Sequence, residues 1–178
     1  MTTVQRNLDI YRTRLMTLQN ILGRAEAELL PEDPAKAALL EARLAPDMLP
    51  LPTQVWFTCR QAELLLGKLN GVPVKEFGSD KASFADLKAL VAETISRIEA
   101  QTDTNTKESF ATAETTIEIP GFPTLKMSGH DYIDEWLTPN FYFHLVTAYD
   151  ILRAEGLALG KADYMSHLRP RLAAAMAG

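Results

Sequence analysis

Apolar residues recur through the first part of the chain in steps of four and three: Val4, Leu8, Tyr11, Leu15, Leu18, Leu22, Ala25 and Leu29. That spacing is the seam of a long amphipathic helix. The run Pro31-Glu32-Asp33-Pro34 ends it, because proline cannot continue the hydrogen-bond ladder. A short helix is expected over 35–44. Pro46, Pro50 and Pro52 then crowd together, and prolines are tolerated in a first helical turn, so they mark the entry to a second long helix. It runs to about Leu69, where Asn70-Gly71 supplies a left-handed cap and Pro73 a block. Ser83 reads as the N-cap of a third helix with the stripe Phe84, Leu87, Val91, Ile95 and Ile98, ending near Gln101.

After a polar connection and a short helical turn over 108–112, the period changes. Residues 114–128 alternate with β-branched positions on either side of Pro120-Gly121-Phe122-Pro123, which predicts a small β-hairpin. Ser128 caps the next helix, and Thr138-Pro139 reads as a fresh N-cap and first turn that restarts or kinks it. Gly156 closes this fourth long helix, and 161–178 reads as a loose C-terminal extension. Four long helices with one apolar stripe each make an all-α bundle, a single domain over 1–160 with the hairpin between helices 3 and 4. Connection lengths alone do not fix its topology.

Composition narrows the function classes. The 178 residues carry a formal charge of −5 and no basic run, which argues against a nucleic-acid role. The single cysteine, Cys59, excludes an internal disulfide and a multi-cysteine metal site, and favours a reducing compartment. Charges at Arg6, Asp9, Arg12 and Arg14 break up any signal-peptide core. No apolar run reaches the ~18 residues of a membrane span. The expectation is a cytoplasmic protein with no membrane partner.

The candidate chemistry lies on two helices. At about 100° per residue, Asn140, His144, Ala148 and Ile151 share a side of the fourth helix. On the second, Asp47, Leu51, Gln54, Thr58 and Leu65 share a side if helical geometry reaches back to Asp47. Asp47, Gln54, Asn140 and His144 are therefore expected to cluster at one end of the bundle. Buried polar groups need partners, so such a cluster is either self-satisfied or a ligand site. Among the three histidines, neither His130 nor His167 stands a turn away from His144, and the paired-histidine signature of zinc hydrolases is absent. Cys59 falls mid-helix without a local base and reads as a packing residue.

The segments "ARLAPDMLPLPTQV", "LTPNFYFHLVTAYDILRAEGLALGKADY" and the third helix together resemble a bacterial domain-of-unknown-function family (number nineteen-ninety-three) of the DinB/YfiT-like four-helix-bundle superfamily. The resemblance covers nearly the whole chain and implies an up-down-down-up order with a long crossover. It also implies a comparison with metalloenzymes and thiol-dependent transferases or isomerases. Those present one histidine from the second helix and a pair spaced by three residues on the fourth. Here the pair is Asn140 and His144, and Gln54 or Asp47 stands for the second-helix histidine. Two of three expected ligands are absent, which argues against metal-dependent chemistry.

Three readings follow. The first is a small-molecule-binding protein with a pocket around His144, its ligand unnamed and no cofactor expected. The second is a metal- or thiol-dependent hydrolase or transferase, in which His144 would be the ligand to a divalent metal. The third is a structural or interaction protein with a self-satisfied polar core. The fourth helix is apolar on its back as well, at Tyr142, Val146 and Tyr149. Either the hairpin and tail cover that back, or a second copy does, and a homodimer is expected.

Overall fold

The computed structural model describes residues 3–29, 38–74, 76–78, 82–102 and 109–177. The proline run 31–34 and the start of the expected short helix lie outside them; a helical turn occupies 38–41. Helix α1 spans Thr3–Leu29, α2 Leu51–Asn70, α3 Phe84–Thr102 and α4 Thr138–Ala154. Strands β1 (Glu114–Ile117) and β2 (Leu125–Ser128) form the antiparallel hairpin between α3 and α4, in the register Glu114↔Ser128 to Ile117↔Leu125.

The boundaries follow from local chemistry. Pro50 precedes α2 in an extended conformation and Pro52 sits in its first turn. Gly71 takes φ 67° at the other end, which only glycine adopts without strain. Ser83 and Asp86 cap α3 reciprocally: the Asp86 N–H donates to the Ser83 hydroxyl, and the Ser83 N–H donates to the Asp86 carboxylate. Gly129 follows the hairpin where a Cβ would lie 2.0 Å from the Phe110 carbonyl oxygen, so no side chain fits.

Long-range pairs set the directions. Arg12 meets Glu99 and Lys88 meets Glu26, so α1 and α3 run antiparallel. Glu63 meets Arg97 and Asn70 meets Gln101, so α2 and α3 run parallel. Gln54 meets His144 and Lys68 meets Tyr132, just before α4, so α2 and α4 run antiparallel. The order is up-down-down-up. The core is one apolar cluster drawn from all four helices, with Leu8, Leu15, Leu65, Leu87, Ile98 and Phe141 among its fully buried members. Among the described residues no helix is long and apolar enough to cross a membrane.

Two expectations are corrected. Thr138 is not an N-cap, because the helix from Gly129 runs into α4 through a π-helical stretch, Tyr132–Leu137. The Thr138 N–H reaches back five residues to the Ile133 carbonyl. Pro139 explains the wide turn: it has no N–H, and its ring crowds the carbonyl of Glu135 in a regular helix. The Thr138 hydroxyl instead pairs with the buried Tyr11 hydroxyl at 2.8 Å. Tyr11→Phe removes that bond and should cost about 1 kcal/mol in urea unfolding; an unchanged midpoint would assign it no role.

The C-terminal extension is also less loose than expected. Leu157 and Leu159 are buried, and a helical turn follows at Lys161–Tyr164. Arg24 pairs with Asp163 at 3.2 Å and Thr17 with Ser166 at 3.1 Å, fastening this segment along α1. Only the final helix α5, Arg169–Ala177, is exposed throughout.

Candidate functional site

On α4, Ala148 and Ile151 are buried as the pattern suggests, but toward the start of the helix the buried line passes through Leu145 and not His144. Phe141, Leu145, Ala148 and Leu152 are buried, at spacings of four, three and four. His144 and Asn140 flank that line and are only half-buried. The reason is that α4 packs between α2 and α1, and Phe141 stacks on Tyr11 of α1 at 4.6 Å. This rotation turns His144 toward α2.

There it meets Gln54, which is 2% exposed. His144 Nδ1 and Gln54 Oε1 are 2.8 Å apart, and Gln54 Nε2 donates to the Leu49 carbonyl at 2.9 Å. The second bond fixes the first. With its amide nitrogen committed to a carbonyl, Gln54 presents oxygen to the ring, so Nδ1 carries the proton and donates. In a neutral imidazole Nε2 then bears a lone pair. Burial lowers the His144 pKa from 6.5 to about 4, which keeps the ring neutral near pH 7.

Of the four expected site residues, these two are brought into contact. Asn140 donates to the Trp136 carbonyl at 2.7 Å, a bond within its own helix. Asp47 lies exposed in the turn before α2. Helical geometry does not reach it, because the helix begins only at Leu51.

Aromatic residues surround His144. Phe57 stacks on its ring at 4.9 Å, and Phe143 meets it edge-on at 5.2 Å. Trp56 continues the series, 4.6 Å from Phe57. Four rings therefore run without a break from α2 to α4. Trp56, Phe57 and His144 are half-buried, and Phe143 is 58% exposed. Nothing in the periodicity of either helix singles out Trp56, Phe57 or Phe143. The available signal was that Phe57 follows Gln54 by three positions, on the face that meets His144.

Phe143 leaves one side of this face open. A cavity of about 240 Å³ lies elsewhere, between α2 and α3, with Glu63, Phe77, Leu90 and Arg97 in its wall. Glu63 is buried there against Arg97 at 2.6 Å. Burial raises its pKa, and Arg97 opposes that shift. Cys59 is fully buried, and burial pushes its thiol up to about 12, so it offers no nucleophile.

The donor set around His144 does not fit a divalent metal. Gln54 has spent its oxygen on Nδ1, Asn140 turns its nitrogen to a carbonyl, and Asp47 stands apart. Among the described residues no group of three or more His, Cys, Asp or Glu side chains converges to hold a metal ion.

The apolar back of α4 is partly covered by the chain itself. Tyr149 is 8% exposed, lies edge-on to Tyr164 of the C-terminal segment at 5.9 Å and accepts a hydrogen bond from Arg153. Val146 remains 37% exposed.

Comparison with known proteins places this geometry. The family model described as a domain of unknown function (DUF1993) matches residues 5–165. A solved structure of a DinB family member protein from Shewanella denitrificans is similar, with a TM-score of 0.73 and 29% identity over 88% of each chain. No curated protein matches the chain.

Proposed function

The chain belongs to the DUF1993 family, and from that premise, which supplies a DinB-like bundle and no activity, we propose that it is a cytoplasmic protein binding a planar small molecule on the ring face around His144. One observation carries this reading: Gln54 fixes the tautomer of a neutral histidine between two aromatic rings, leaving Nε2 as an acceptor at a partly open surface. Such a face suits an apolar π-surface with one N–H or O–H donor. Indole has both features. Calorimetric titration with indole should give saturable one-site binding, weakened at least tenfold by His144→Ala and several-fold by Gln54→Leu, which frees the tautomer. Indole affinity indifferent to both changes would remove the site.

A second reading rests on the exposure of Phe143 and Val146. Two chains pair through this strip, with the rings buried between them. Light scattering at micromolar concentration should then report about twice the 19.8 kDa chain mass, returning to one chain in Val146→Glu. A single-chain mass for the wild type rejects the pairing.

A further inference from the structure

We propose that the ligand of the ring face carries a single negative charge, a carboxylate, and that Arg60 is the residue that meets it. This rests on the ring-face reading and adds the ligand's charge to it. Arg60 stands on α2 four positions after Trp56 and three after Phe57, so it shares their side of the helix. Its guanidinium carbon lies 5.8 Å from the Trp56 ring centre, extending the series of rings at its α2 end.

Three other helical arginines lie against carboxylates. Arg12 pairs with Asp9 at 2.8 Å, Arg24 with Glu28 at 2.8 Å and Arg97 with Glu63 at 2.6 Å. Arg60 has no carboxylate partner among the described residues; its guanidinium lies over the Trp56 ring, and its charge acts on the Tyr132 hydroxyl. The side chain is half-buried, and its Nε is shut off from water yet donates to nothing. Buried guanidinium donors seek an acceptor, and their planar fork matches a carboxylate. An outside carboxylate meets the fork through its terminal nitrogens, since the Nε is closed to solvent. A monoanion fits better than a dianion: one cation faces the ligand, His144 is neutral, and the chain's net charge is −5.

The test uses two isosteric probes, indole-3-acetate and its neutral amide, titrated calorimetrically into the full chain. The acetate should bind the wild type at least tenfold more tightly than the amide. Arg60→Gln should abolish that preference, weakening the acetate at least tenfold more than the amide. Arg60→Lys, which keeps the charge without the fork, should retain part of it. His144→Ala should weaken both probes alike. Equal affinity for the two probes in the wild type, or a preference that survives Arg60→Gln, overturns the role of Arg60 and leaves the ring face standing. Failure of both probes to bind the wild type overturns the ring face and this inference together.

Discussion

Phe141→Ala should be among the most damaging single substitutions in this bundle, lowering stability by about 3–5 kcal/mol. Phe141 is fully buried, stacks on Tyr11 at 4.6 Å and meets Tyr142 edge-on at 5.6 Å. Truncation leaves a void beside the Tyr11–Thr138 bond, where the π-helical stretch joins α4. The loss combines the transfer term with the cavity term, because helices on both sides can collapse only partly. For a domain of this size the melting temperature should fall by about 10 °C or more. Phe143→Ala, two residues on, is the control. That ring is 58% exposed, so its removal should cost under about 1 kcal/mol while weakening indole binding. Urea unfolding of the two variants gives the comparison. Similar losses in both would mean that Phe143 serves the fold, and the case for an open ring face would weaken with it.

How far the sequence reveals these features depends on whether they are set locally. The ends of α2 are legible because Pro50, Pro52 and Gly71 act on their own backbone. The Ser83 cap and the hairpin are legible for the same reason. The up-down-down-up order comes from family resemblance, since helix direction depends on pairs such as Arg12–Glu99 that periodicity cannot supply. Thr138 is misread because its hydroxyl is claimed by Tyr11, 127 residues away. The rotation of α4 escapes for a similar reason. Its stripe is broad enough to admit both His144 and Leu145 as inward, and stacking of Phe141 on α1 selects Leu145. Arg60 gives no signal at all in sequence. Its distinguishing property is a buried Nε without an acceptor, and that appears only once the side chains around it are placed.

Acid should destabilise the protein through His144 in a defined window. In the unfolded chain this imidazole titrates near 6.5, whereas in the folded chain burial holds it at about 4. Between those values the unfolded state takes up a proton that the folded state refuses. Stability from this group is therefore complete above pH 6.5 and is lost as pH falls toward 4. Half-exposure of the ring screens the effect, leaving about 1–2 kcal/mol. Carboxylates also contribute to acid unfolding, so the measurement is a difference: wild type should lose about 1–2 kcal/mol more than His144→Gln between pH 7 and pH 4.5. Nitrogen NMR gives an independent reading. Nδ1 should appear protonated and Nε2 unprotonated from pH 8 down to about pH 5, because Gln54 offers oxygen to Nδ1 throughout. Indole binding should be flat over the same range and fade as the ring gains its second proton near pH 4, when Nε2 can no longer accept. A ring that titrates near 6.5, or a proton found on Nε2 at neutral pH, would mean that Gln54 does not hold it and that no acceptor is presented to a ligand.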